Sequence, residues 1–88
     1  MKDLVIENNP HNGGFCCEFE HNNKKYYADL CIVFDYKCSE CMIFGTNETK
    51  EGNKVDFGRD LYCKRNLPVT EEALKKCIEE FITHVLSD

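Results

Sequence analysis

The sequence has no apolar run close to the roughly 20 residues that a membrane-spanning helix needs. Its first seven residues also lack the apolar core and the small-residue cleavage site of a secretory signal. We therefore expect a cytoplasmic protein whose thiols are reduced. There is no repeat, low-complexity tract or interdomain linker, and 88 residues are enough for one domain. We expect residues 1–88 to form a single compact domain.

The motifs of nucleotide-binding and catalytic sites are missing as well. Gly13-Gly14 is not followed by a helical pattern, which argues against a glycine-rich phosphate loop. His11, His21 and His84 are far apart in the sequence, and no set of residues satisfies the combined roles of an active site. We therefore predict that the protein is not an enzyme. A small enzyme or redox protein with one reactive thiol remains the third-ranked hypothesis.

The charge balance limits the class of partner. Sixteen acidic residues against eleven basic ones give a net charge of −5 at pH 7. This excess argues against direct binding of nucleic acid or of an anionic membrane. It permits a partner protein with a basic surface, including a surface that normally holds nucleic acid, but on charge alone the first interpretation is that it keeps a small protein in solution.

Seven cysteines are the most distinctive part of the composition. The odd count leaves one thiol over in any closed set of disulfides. Cys38 and Cys41 have the spacing of a zinc knuckle, and a zinc-stabilised module is one alternative function, although no second such pair is present. In the preferred interpretation there is no cofactor, and Cys17 and Cys77 are thiols of the core. Further zinc ligands would come from Cys63, Cys31, Cys16, His11 and His21.

The best-determined segment is a β-hairpin around Asn22-Asn23. Asparagine tolerates the positive φ angles that both central positions of a type I′ turn require. Counting outward from this turn separates an apolar face from a polar face, and a slip of one residue would mix them. The predicted cross-strand pairs are Glu20 with Lys25, Phe19 with Tyr26, Glu18 with Tyr27, Cys17 with Ala28, Cys16 with Asp29, and Phe15 with Leu30.

The remaining pattern completes an α+β fold. The apolar period of the last segment predicts a helix that begins after Thr70 as its N-cap, with Glu71 and Glu72 in the first turn. Its apolar stripe should cover one face of the sheet. The fold class is therefore an antiparallel β-meander of four or five strands with one C-terminal α-helix packed on one face. The strands are expected at about 3–7, 14–20, 25–36, 40–46 and 54–63, and the helix at about 70–86.

One helix leaves the other face of the sheet as the candidate interface. Tyr27, Cys31 and Val33 should form an apolar strip there, beside Met42 or Ile43 of the next strand. An apolar centre with an acidic rim is typical of a site for a basic partner. The alternatives are that the N-terminal segment covers the strip, or that a second copy does so in a homodimer. The predicted partner-binding residues are Glu18, Glu20, Tyr27, Asp29, Val33, Asp35, Glu48, Glu51 and Asp56.

In size, acidity and strand-meander-plus-helix layout, the whole chain resembles the small inhibitors carried by phages and mobile elements, such as anti-CRISPR proteins, and also bacterial immunity proteins. The resemblance implies a non-enzymatic inhibitor or adaptor that docks on a basic surface of a partner protein, including a surface that normally holds nucleic acid. Fold and size do not by themselves determine function. The zinc-stabilised module and a homodimer through the outer sheet face stay open as alternatives.

Overall fold

The computed structural model describes residues 4–33 and 38–86. It shows one antiparallel sheet with strands in the order β1-β2-β3-β4-β5 and a single C-terminal helix, so the α+β meander is confirmed with five strands. No helix in the described part of the chain has the length and apolar character needed to cross a membrane. The elements are β1 (Glu7–Asn9), β2 (Gly14–His21), β3 (Lys24–Val33), β4 (Cys38–Thr49), β5 (Gly52–Arg65) and α1 (Glu71–His84).

The central hairpin has the predicted register. Asn22 and Asn23 both have positive φ angles, 51° and 65°, as a type I′ turn requires. All six predicted cross-strand pairs of β2 and β3 are present. The side chains facing the helix from these strands are therefore apolar, and those on the other face are mostly polar.

The first strand lies later in the chain than predicted, at Glu7–Asn9 instead of about 3–7. Leu4 and Ile6 do not pair in the sheet; they pack against the helix-side core. A tight turn leads from β1 into β2, and the Gly13 amide donates to the Asn9 carbonyl at 3.0 Å. At Gly14, a Cβ atom would lie only 1.9 Å from the Leu30 carbonyl oxygen, so this close approach of two strands requires glycine.

The helix packs on one face of the sheet, as its apolar stripe predicted. Thr70 is the N-cap, and its hydroxyl accepts from the Ala73 amide at 3.1 Å. Cys17 and Cys77 are buried core thiols, also as predicted. The alternation of β3 would place Ile32 in the core and the helical period would place Val85 there, but Ile32 is 51% exposed and Val85 is 42% exposed. The helix-side core consists of Cys17, Phe19, Tyr26, Ala28, Leu30, Cys41, Ile43, Ala73, Leu74, Cys77, Ile78 and Phe81.

The last strand departs from the simple alternation that its sequence suggested. Phe44 of β4 pairs with Asp60 of β5, and Thr46 pairs with Val55, so only Gly45 faces residues 56–59 of β5. These four residues form a large bulge. We call residues 56–59 the β5 bulge. The bulge interrupts the open edge of β5, a feature that discourages unwanted strand pairing.

Candidate protein-binding surface

The sheet face opposite the helix, which we call the outer face, carries side chains in rows that cross the strands. Because cross-strand partners share a face, each row can be followed from the strand register. The first row contains Glu18, Tyr27, Phe44 and Asp60, and we call it the aromatic row. The second row contains Cys16, Asp29, Met42 and Cys63, and the third row contains Cys31, Glu40 and Arg65.

The aromatic row places two aromatic rings between two carboxylates. Glu18 lies opposite Tyr27, Tyr27 opposite Phe44, and Phe44 opposite Asp60. With about 4.8 Å between neighbouring strands, the row spans roughly 14 Å. Glu18 and Asp60 are both exposed, and neither forms an ion pair within the described residues. The row therefore presents an apolar centre with a negative charge at each end.

Phe57, on the β5 bulge, packs on the two aromatic rings of this row. Its ring centroid lies 5.1 Å from that of Phe44 and 6.0 Å from that of Tyr27, with interplanar angles of 66° and 79°. Such edge-to-face contacts are favourable for aromatic pairs. The Asp56 carboxylate accepts from the Gly58 amide at 3.0 Å within the bulge.

The two phenylalanines differ sharply in exposure. Phe44 is only 6% exposed although it does not belong to the helix-side core, because Phe57 lies against it. Phe57 itself is 67% exposed. The outer face therefore holds a solvent-exposed aromatic ring that the fold has already fixed in place. Neither Leu4 nor Ile6 covers this face, since both pack against the helix-side core.

Asp29, a predicted partner-binding residue, is engaged inside the molecule. Its carboxylate oxygens accept hydrogen bonds from the side-chain amide of Asn9 at 3.3 Å and from the side-chain amide of Asn12 at 3.4 Å. Burial raises the pKa of Asp29, and the two amide donors only partly oppose this rise. Asp29 therefore ties β1 and its turn to β3, and it is less available to a partner than Glu18.

Tyr27, another predicted site residue, is half-buried in the centre of the aromatic row. Burial raises the pKa of its hydroxyl, and a hydrogen bond with the Cys16 side chain adds to the shift. The hydroxyl is therefore neutral at physiological pH. Tyr27 contributes an uncharged ring and a polar edge to the outer face.

The third row is internally neutralised. Arg65 Nε donates to Glu40 Oε2 at 2.9 Å, and the Glu40 side chain is only 12% exposed. Val33 lies half-buried at the far end of the outer face, opposite Cys38. The predicted rim residue Asp35 lies outside the described residues. The unpaired acids of the outer face thus concentrate at the aromatic row, away from Arg65.

The other predicted acids lie at the opposite end of the sheet from Val33. Glu20 is exposed on β2, and Lys25 is its cross-strand partner. Glu48 and Glu51 lie on the β4–β5 hairpin beyond the end of β3, where both are exposed. Asp56 begins the β5 bulge and is half-buried. Lys24, Lys25, Lys50 and Lys54 are exposed at the same end of the sheet, so this end carries charges of both signs.

The zinc alternative finds no preassembled site in the described part of the chain. Cys38 and Cys41 both lie in β4, not on the tight turn of a zinc knuckle, and residues three apart in a strand face opposite sides of the sheet. Cys41 is buried in the helix-side core, whereas Cys63 is exposed on the outer face. Within residues 4–33 and 38–86, no three cysteine, histidine or acidic side chains form a group that could hold a metal ion.

The sequence analysis missed Phe57 and Asp60 as site residues. Both fall in the strand expected at about 54–63, with Gly58 as a possible bulge, and the alternation of that strand would place Phe57 on the same side as Val55 and Leu61. The β5 bulge changes that register and brings Phe57 onto Phe44. The available signal was Gly58, which marks a bulge in a strand pattern but does not give its size.

Comparison with protein families, with curated proteins and with solved structures finds no match for this chain. The candidate surface therefore rests on its own geometry. The observation that carries it is the exposed Phe57 ring, which packs on Tyr27 and Phe44 of the aromatic row. Glu18 and Asp60 lie at the two ends of that row.

Proposed function

We propose that this protein is a non-enzymatic inhibitor or adaptor that docks its outer face on a basic surface of a partner protein. Phe57 is the anchor of this interface, because a largely exposed aromatic ring with a rigid seat gains most from burial by a partner. Glu18 and Asp60 supply the complementary charge. A partner surface that otherwise holds nucleic acid has the required basic character, in the manner of phage anti-CRISPR proteins.

The chemistry of the aromatic row specifies what the partner should present. An arginine or lysine side chain above the free face of Phe57 would make a cation–π contact. The same cation lies near a carboxylate of the row, so the aromatic and ionic contributions act on one group. Electrostatic complementarity of this kind raises association rates and makes the affinity fall with salt.

The same geometry favours a basic partner over a second copy of the chain. A twofold dimer through the aromatic row would bring the carboxylates of Glu18 and Asp60 close to carboxylates of the other copy. Like charges in an interface oppose association unless cations neutralise them. The odd number of cysteines supports a reducing, cytoplasmic setting for this encounter.

The test uses three immobilised proteins as baits in a cytoplasmic extract. The first is the wild type and the second is the double variant Glu18→Lys with Asp60→Lys. The third is a control that carries the single change Glu79→Lys, with its neighbour Lys76 left as in the wild type. Glu79 is exposed on the helix, on the opposite side of the molecule. A protein captured by the wild type and the control but not by the double variant is then purified and its affinity measured against salt. We expect a Kd that weakens as salt rises.

The proposal fails if every protein captured by the wild type is captured equally by the double variant, or if salt leaves the Kd of the purified protein unchanged. Melting temperatures of the three baits are measured in parallel. Because Glu18 and Asp60 are exposed and form no ion pair within the described residues, their reversal should change stability by less than about 1 kcal/mol. A loss of binding is then attributable to the surface.

A further inference from the structure

The turn between β1 and β2 carries the one Asn-Gly pair of the sequence, Asn12-Gly13. In such a pair the backbone nitrogen of the glycine can attack the side-chain amide of the asparagine, because glycine has no side chain to hinder the approach. Gly13 is exposed and has a φ of 71°, and a Cβ atom there would meet nothing within 4 Å. The backbone at this pair is therefore open to solvent.

The Asn12 side chain is fixed at both of its polar atoms. Its Oδ1 accepts a hydrogen bond from the Gly14 backbone amide at 2.9 Å, and its Nδ2 donates to Asp29 Oδ2 at 3.4 Å. The bond to Gly14 closes an Asx turn, which folds the Asn12 side chain back over the Gly13 peptide. The turn therefore holds the amide of Asn12 beside the backbone nitrogen of Gly13.

Both contacts lie where an attack by the Gly13 nitrogen develops charge. Negative charge would collect on Asn12 Oδ1, and the Gly14 N–H already points at that oxygen as an oxyanion donor does. The atom that must leave is Nδ2, which needs a proton and lies beside the Asp29 carboxyl group. Burial raises the pKa of Asp29, although the side-chain amides of Asn9 and Asn12 oppose this rise. Asp29 is therefore a better proton donor than an exposed aspartate.

We propose that Asn12 is a self-modification site, at which the Gly13 nitrogen closes a succinimide ring with Asn12 and Asp29 acts as the general acid. The Gly13 nitrogen loses its proton to solvent and forms a bond to Asn12 Cγ. The bond from Cγ to Nδ2 breaks, and Nδ2, protonated by Asp29, leaves as ammonia. Water then opens the ring at either carbonyl, which leaves aspartate or isoaspartate at position 12. Asp29 regains its proton from solvent, so water is the only reagent consumed.

One contact of the turn restrains the first step. The Gly13 N–H donates to the Asn9 carbonyl at 3.0 Å, and this bond must open before the nitrogen loses its proton. Because Gly13 is exposed and Asn9 is only half-buried, solvent reaches the nitrogen when the bond opens. Opening of this turn therefore precedes the chemistry.

The product changes the connection between β1 and β3. A carboxylate at position 12 cannot donate to Asp29, and two carboxylates then face each other where a hydrogen bond stood. Like charges at this distance repel, and isoaspartate also lengthens the backbone of a tight turn by one atom. Only three residue pairs join β1 to β2, so we expect the modified protein to release β1 from the sheet.

The test incubates the full-length protein at neutral pH and follows position 12 by peptide mapping and mass spectrometry, which distinguish asparagine from aspartate and isoaspartate. We expect Asn12 to convert in the folded wild type. Asn22 and Asn23 also have positive φ angles but no following glycine, so they are internal controls that should stay unchanged. A sample unfolded in guanidinium chloride shows how fast the same pair reacts without the turn.

Two variants test the role of Asp29. Asp29→Asn keeps an acceptor for one amide but removes the acid, and it should slow conversion in the folded protein by about tenfold or more. Glu18→Gln removes an exposed carboxylate on the same face and should leave the rate unchanged. In guanidinium chloride all three proteins should convert at one rate. Hydrogen exchange of the Gly13 amide, measured by NMR in each protein, corrects for a change in how often the turn opens.

The wild-type map decides whether the site exists, and it does not depend on a variant folding. The proposal is overturned if Asn12 remains an amide in the folded protein while the unfolded sample converts, since the turn then protects the pair. It is also overturned if Asp29→Asn slows conversion no more than it slows exchange of the Gly13 amide. Slower conversion at an unchanged exchange rate supports it.

Discussion

The ring of Phe57 lies 5.1 Å from that of Phe44, yet Phe44 is almost completely buried and Phe57 is largely exposed. Phe57 therefore covers its neighbour without being covered itself. Residues in the helix-side core behave differently. Phe81 is 0% exposed and its ring contacts those of Phe19, Tyr26 and Tyr62 at centroid distances of 6.2, 5.4 and 6.0 Å.

This contrast predicts different costs for two phenylalanine truncations. Phe81→Ala should lower the free energy of unfolding by about 3–5 kcal/mol, because it leaves a cavity in the helix-side core. Phe57→Ala should lower it by about 1 kcal/mol or less, since most of the ring is already in solvent. Urea denaturation of both variants measures the difference. Equal losses would show that Phe57 is part of the structural core.

Most of the fold, but only part of the surface, could be predicted from the sequence. The Asn22-Asn23 turn fixed the β2–β3 register, because only one register separates apolar from polar residues. Thr70 gave the start of the helix through its capping hydroxyl. Both signals are local in the sequence, so they needed no knowledge of distant contacts.

The position of Phe57 depends instead on a non-local choice. The number of residues left over between β4 and β5 determines the size of the β5 bulge, and alternation within one strand cannot reveal it. For the same reason, the sequence could not show that Asp29 is held by Asn9 and Asn12 and that Arg65 neutralises Glu40. The acids that remain unpaired were therefore known only once the strands were paired.

Asp29 should make stability depend on pH. Burial raises its pKa in the folded protein above the unfolded value of about 3.8. The folded state therefore favours the protonated form of Asp29. The contribution of this carboxyl group to the free energy of unfolding is fully present below the unfolded pKa, and it is lost as the pH rises through the folded pKa. Asp29→Asn, which keeps an acceptor for one amide, should be more stable than the wild type at pH 7. Thermal melts measure this gain across the acid range.

The gain from Asp29→Asn should shrink as the pH falls through the raised folded pKa towards 3.8, and it should be smallest below 3.8, where the wild-type carboxyl is neutral in both the folded and the unfolded state. Glu18→Gln is the control, since Glu18 is an exposed carboxylate on the same face. A variant that is less stable than the wild type at pH 7 would mean that the two amide hydrogen bonds outweigh the cost of burying the charge.

Ser39, in the middle of the Cys38–Cys41 segment, has a structural role that a metal-binding interpretation would overlook. It is buried, its hydroxyl donates to the Leu67 carbonyl, and the same oxygen accepts from the Leu67 amide at 2.7 Å. Ser39→Ala leaves both backbone groups of Leu67 without this partner and should cost about 1–3 kcal/mol. Cys38→Ser, one residue earlier on the outer face, should cost less than about 1 kcal/mol.

The measurement for this pair is chemical denaturation of the two variants beside the wild type, in the presence and absence of a chelator. The chelator should leave all three curves unchanged. If Cys38→Ser is the more destabilising change and a chelator lowers wild-type stability, the segment binds a metal instead of anchoring the chain that leads into α1.

We propose above that the outer face, anchored by Phe57, binds basic protein surfaces. The most direct measurement is a two-dimensional NMR titration of isotope-labelled protein with an oligoarginine peptide, repeated with Phe57→Ala. We expect amide shifts that concentrate at Tyr27, Phe44 and Phe57, decrease with added salt, and largely disappear in the variant. The helix carries competing exposed acids at Glu71, Glu72 and Glu79. Shifts centred on those residues, or unchanged in Phe57→Ala, would contradict the claim.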